Sequence, residues 1–135
     1  MKDISTELVA WVRTKLDDAG HDVSVTEYKR KQGVGTPCVI ISPEFQGDSA
    51  ELLSGPAGYH VTEIEVVSFA STSAAAFTHA EVIRAALQGY KGSIGTASVL
   101  SVTSTEPFEK DVDKPLSGGN SLVYSVARSY RIGHN

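Results

Sequence analysis

Apolar residues recur at helical spacing near the start of the chain. Ile4, Leu8, Trp11, Val12 and Leu16 share one side, while Glu7, Arg13, Thr14, Asp17 and Asp18 fall mostly on the other. This spacing predicts an amphipathic helix over residues 4–18, capped at its start by Asp3 or Ser5 and ended by Gly20 in the left-handed conformation. The period then falls to two. Val23, Val25 and Glu27 predict a strand, "KRKQGVG" predicts a turn, and the β-branched run "TPCVIIS" predicts a second strand. Pro37 at its start is tolerated because a first strand residue need not donate to the ladder.

Further along, Ile64 and Val66 alternate with Glu63 and Glu65, as in a strand with one apolar face. Val67 and Phe69 take the opposite parity, which calls for cover on both sides at that end or for a bulge. Thr72 or Ser73 can then start a second helix by accepting from the next turn's free N–H groups. Its apolar stripe is Ala76, Ala80, Ile83 and Leu87, widened by Phe77 and Ala86, and "QGYKG" ends it. "TASVLSVTSTEPF" and "SLVYSVARSYRI" read as two closing strands, the last with Leu122, Tyr124, Val126 and Arg128 on one parity. Long loops fall at 43–58 and 107–119, and such loops tend to be functional or flexible. The order is α-β-β-β-α-β-β. It predicts an α+β fold with a mixed, mostly antiparallel sheet of about five strands and two helices packed on it.

The 135 residues fit one domain, 1–135, large enough to bury a core without staples. Twelve basic residues against sixteen acidic ones leave a net charge of −4, which argues against a dedicated nucleic-acid binder. No apolar run approaches the ~20 residues that span a bilayer. The charged N-terminus "MKDISTELVAWVRTKL" does not read as a signal peptide, so a cytoplasmic site of synthesis and assembly is expected. Cys38 is the one cysteine, and its apolar run predicts a buried, inert thiol.

A search for chemistry yields little. His21, His60, His79 and His134 fall in no HExxH or paired ligand spacing, so surface exposure is the expectation for them, with no metal site. "GVGTP" lacks the spacing of a phosphate loop or dinucleotide fingerprint and reads as a turn, so no cofactor is expected. The acids at Asp17–Asp18, Glu63/Glu65 and Glu109–Lys114 fit solvated faces, and the serines form no GxSxG elbow. No catalytic residues are assigned and no enzyme is expected. The concentrated charge at Lys29, Arg30 and Lys31 reads as a solvated hairpin tip. Alternatively, it meets phosphate or an acidic partner by salt-sensitive attraction.

The order of these segments resembles the tail-terminator, or tail-completion, proteins of long-tailed bacteriophages. The carrying stretches are "ELVAWVRTKL", the Pro-led "TPCVIIS", then "YHVTEIEVVSFAS" running into "TSAAAFTHAEVIRAALQGYKG", and the close in "SVARSYRI". The likeness covers nearly the whole chain through patterns of apolar and small residues, with no invariant chemical signature. It implies a hexameric ring on the head-proximal end of the tail tube that stops tube polymerisation and joins the tail to the head connector. It also implies a place in the virion tail or neck after assembly in the host cytoplasm. The partners would be further copies of the chain, the major tail tube protein and the connector or neck proteins. Genome DNA would pass through the lumen in non-specific contact, and no membrane is involved. In that setting Phe45, Leu52, Leu53, Tyr59 and Phe108 would be buried against neighbouring subunits or the tube. Lys29, Arg30 and Lys31 would face the lumen or the connector. A head-closure or neck-adaptor ring is the nearest alternative, and a small α+β enzyme or a ligand-binding module the next.

Overall fold

The structure is a computed structural model that describes residues 4–27, 37–48, 60–104, 109–115 and 122–134. Along the chain run α1 (Ser5–Asp18), β1 (Ser24–Glu27), β2 (Cys38–Asp48), β3 (His60–Ala70) and α2 (Ser73–Leu87). They are followed by β4 (Gly92–Ile94), β5 (Ala97–Ser104), β6 (Glu109–Pro115) and β7 (Leu122–His134). The strands form one sheet of order β1-β2-β3-β7-β5-β4, with β6 also beside β7. β1 and β2 are parallel and every other pairing is antiparallel. The predicted α+β class and mixed sheet are therefore observed, with seven strands in place of about five.

The two added strands lie where turn and loop were expected. β4 is a three-residue arm that turns through Gly95 into β5. β6 occupies residues 109–115, inside the expected 107–119 loop, and β2 runs on to Asp48, inside the expected 43–58 loop. β5 and β6 lie end to end along the same side of β7, since Ser104 pairs with Tyr130 and Glu109 with Ala127.

α1 buries Ile4, Leu8, Val12 and Leu16 completely. This strict four-residue spacing stacks side chains on one face. Each such burial contributes roughly 1.5–3 kcal/mol of transfer free energy. Buried Ile4 holds the N-cap position and makes no side-chain cap, and Asp3 lies outside the described residues. The end follows the sequence closely. Gly20 has φ 86°, its N–H donates to Asp17 O, and the His21 N–H donates to Leu16 O. These two bonds satisfy carbonyls that the last helical turn leaves open.

α2 starts at Thr72, whose hydroxyl accepts from the Ala75 N–H at 3.1 Å. It buries Ala76, His79, Ala80, Ile83 and Leu87 over β3 and β7. Phe77 does not widen the stripe, because it is 41% exposed. On β3, Thr62, Ile64, Val66, Ser68 and Ala70 are buried while their alternates are half-buried. The strand carries no bulge, so Val67 and Phe69 simply belong to the face turned away from the helices. A bulge does occur in β5. Val99 pairs with His134 and Ser101 with Gly133, and Leu100 is the extra residue. Both Val99 and Val102 thereby reach the core while Leu100 stays exposed.

One carboxylate ties α1 to the far edge of the sheet. Glu7 accepts from the Thr96 N–H at 2.8 Å, the Thr96 hydroxyl at 2.8 Å and the Ala97 N–H at 3.3 Å. Gly95 makes this possible: its φ is +60°, and a Cβ there would lie 2.7 Å from Glu7 Cδ. Gly95→Ala is expected to cost about 1–2 kcal/mol from the left-handed backbone alone. Glu7→Ala is expected to cost about 1.5 kcal/mol through the lost bonds. Urea unfolding of the two variants and of the double variant checks this. The double variant should lose less than the sum, because both changes break the same contact.

Candidate functional site

The inward parity of β7 carries Tyr124, Val126, Arg128, Tyr130, Ile132 and His134. Four of these are apolar or aromatic fillers, and two are polar groups that must find partners once dehydrated. Arg128 is 4% exposed beneath α2. Its guanidinium donates to Glu81 Oε2 at 2.7 Å, and Arg84 Nε donates to the same oxygen at 2.6 Å. Arg84 also donates to Gln88 Oε1 at 3.1 Å. Phe77 lies across the Arg128 guanidinium at 5.4 Å, a cation–π contact that shields it from the solvent side. The two arginine hydrogen bonds hold the Glu81 carboxyl below the usual carboxylate range. Fully buried Tyr130 is pushed the other way: burial raises its phenol, and the Arg128 charge offsets part of that.

Two of the histidines, His79 and His134, are buried where surface residues were expected, and His21 and His60 are half-buried. His134 is fully buried and its Nε2 shares a hydrogen bond of 2.9 Å with Thr62 Oγ1. Its ring lies 5.7 Å from that of His60, its cross-strand partner. His79 is 6% exposed and meets His21 edge-on at 4.8 Å, where the turn after α1 touches α2. Burial, and then the neighbouring His21, lowers the His79 pKa. The neutral ring is therefore favoured in the fold. All four histidines thus sit in two close pairs, and packing positioned them where no sequence motif could.

These groups do not converge as a reaction centre does. Cys38 is buried on the opposite face, across from Phe69, away from both histidine pairs. Asp17, Gly20, His21 and Asp22 line an open depression of about 220 Å³. Among the described residues no group of three or more His, Cys, Asp or Glu could hold a metal ion. On the outward face, Arg131 binds Glu63 directly across the strands at 2.5 Å through Nη2 and 2.9 Å through Nε. That exposed pair adds little stability.

Of the predicted contact residues, Phe45 stands in β2 opposite Glu63, next to a register shift between Pro43 and Phe45. Leu52, Leu53, Tyr59 and Phe108 lie outside the described residues, as do Lys29, Arg30 and Lys31. The anchors of those segments are placed. Asp48 and His60, which flank residues 49–59, pair with each other at one end of the sheet, and Pro115 and Leu122, which flank residues 116–121, pair at the opposite end. Sequence reasoning missed Glu81, Arg84 and Glu7. The available signal was Arg128 itself, a full charge on a mostly apolar parity, which requires a partner from the element packed above it.

No protein-family model and no curated protein matches the chain. The fold is nonetheless shared with a solved structure. A chain in the virion of a native gene transfer agent (GTA) particle superposes with a TM-score of 0.61 at 12% identity. The likeness covers 97% of this chain and 90% of that one.

Two outcomes follow from the buried charges. Arg128→Met is expected to cost about 2–3 kcal/mol, since it removes hydrogen bonds to a charged group beneath a helix. A double-mutant cycle with Glu81→Gln should give a coupling of roughly 1–2 kcal/mol. The second outcome concerns pH. The folded pKa of His79 lies below its ordinary 6.5, so its contribution is complete above about 6.5 and is lost as pH falls through the lower folded value. Urea midpoints should therefore decline from pH 7 toward pH 5, and His79→Phe should flatten that decline. Glu81, whose pKa is depressed from 4.5, affects stability only at more acid pH.

Proposed function

We propose that the chain is a structural subunit of a phage-type particle. In this reading it forms a hexameric ring on the head-proximal end of a tail tube, stops tube polymerisation and joins the tail to the head connector. The observation that carries the reading is the near-complete likeness of fold to a chain of a virion particle. The character of the molecule supports it. Polar contacts lock α2 and α1 to the sheet, and the residues that flank 49–59 and 116–121 pair at its opposite ends. A rigid body that presents loops acts by shape, and head-to-tail contacts between such bodies close into a ring when the rotation permits.

The chain is accordingly no enzyme in this reading. Its partners are other copies of itself, the tube protein and the connector, with DNA passing through the lumen. A head-closure or neck-adaptor ring is the second reading, and the same likeness of fold supports it. Binding to tube ends separates the two, because only a terminator engages the tube directly.

The mass of the purified protein by light scattering, with negative-stain images of the same peak, tests the ring. The expected result is six times the 14.3 kDa of one chain and a ring with a central hole. A compact monomer with no affinity for tail tubes would overturn the proposal. Charge reversal of Lys29, Arg30 and Lys31 to Glu should leave the ring intact and lower infective titre, since the basic tip meets DNA phosphate or an acidic connector surface. An unchanged titre removes that role for the tip.

A further inference from the structure

We infer that the His21–His79 contact is an acid-sensitive latch: it holds the end of α1, its turn and β1 against α2, and that arm opens as protons are taken up, whether or not copies of the chain assemble. His79 stands on the buried face of α2 at 6% exposure, and its Nδ1 has no hydrogen-bond partner among the described residues. His21 belongs to the turn between α1 and β1 and meets that ring edge-on at 4.8 Å, with 73° between the ring planes. A neutral imidazole packs there as an aromatic ring does. A protonated one carries a charge and two N–H donors, and it needs acceptors or water.

Little around His79 would compensate that charge. On the last turn of α1 and the turn after it, the charged groups are Lys15, Asp17, Asp18 and Asp22. Asp17 and Asp22 line an open depression with His21, and no described carboxylate bonds His79. On α2 itself, Glu81 is taken by Arg84 and by Arg128, the cation of β7 beneath the helix. β7 adds the phenols of Tyr124 and Tyr130 on the same parity. β3 brings Val66, Ser68 and Ala70 to the covered face, and none of them titrates. Burial, and then His21, disfavours a proton on His79 in the closed arrangement. Moving the turn away relieves both, so protons favour the open form.

The arm can open without the rest of the fold. β1 is four residues long and pairs only with β2. The first half of α1 is held separately, by Glu7 on Thr96 and Ala97, and a carboxylate stays ionised across the range in which a histidine titrates. Opening therefore stops short of that clamp and involves residues 17–27. It exposes the buried Val23 and Val25, so the open form is a minor state at neutral pH.

Amide hydrogen exchange followed by NMR at pH 7.5, 6.5 and 5.5 tests this, each rate being divided by its intrinsic value at that pH. The Gly20 and His21 amides and those of β1 that bond β2 should exchange through an opening nearly insensitive to low urea. Those of β3 and β7 should need the whole sheet to unfold. His79 has its ordinary 6.5 in the open form and a lower pKa in the closed one, so the opening constant is flat well above 6.5 and rises below it. A rise of several-fold between pH 7.5 and pH 5.5 is expected, at most about tenfold per pH unit for one proton. His79→Phe keeps a ring and removes the titration, so it should abolish the rise; His79→Asn serves if that variant fails to fold. An arm whose urea-insensitive opening is the same at all three pH values overturns the inference. So does an arm that exchanges only by global unfolding, and so does a rise that persists in a folded His79 variant.

Discussion

β7 is paired along nearly its whole length on both sides. β3 follows it without a register shift from His60 opposite His134 to Ala70 opposite Tyr124, while β5 and then β6 take up its other edge. The rest of the molecule hangs on this strand. Its inward residues meet α2, and its middle holds Arg128, whose dehydrated charge is met by Glu81 reaching down from α2. Breaking that pair would remove an opposite charge from a cation buried under a helix, which costs more than a surface pair gains. The ion pair therefore fixes where α2 lies, and α2 in turn fixes α1 through their shared apolar core and the His21–His79 contact.

Much of this was legible in the sequence. The four-residue spacing from Ile4 to Leu16, the left-handed Gly20, the Thr72 cap and the parity of β3 and β7 are local signals, and local structure obeys them. The missing parts depend on distant partners. β6 reads "EKDVDKP", with no apolar alternation to mark it, and is a strand because β7 offers it a ladder. Val99 and Val102 are three apart and both buried, which no strand period allows until Leu100 is set aside as a bulge. His79 and His134 are buried because the elements around them close over them, and a histidine alone does not announce that. The expected contact residues on the 28–36, 49–59 and 105–108 segments are legible only as composition.

The division of labour is physical. Packing and buried ion pairs concentrate on one side of the sheet, where two helices cover it. The other side carries Val67 and Phe69 toward one end and the Glu63–Arg131 pair toward the other. A body built this way is stiff where its core lies and offers recognition at its rim and outer face. The fold itself is shared with a chain of a virion particle over nearly the whole length of both chains.

The most direct test of this account is electron microscopy of tail tubes polymerised with and without the purified protein. The account predicts a ring-shaped cap on one end of each tube and an end to elongation once it is added. Tubes that continue to grow with bare ends at saturating protein would contradict it.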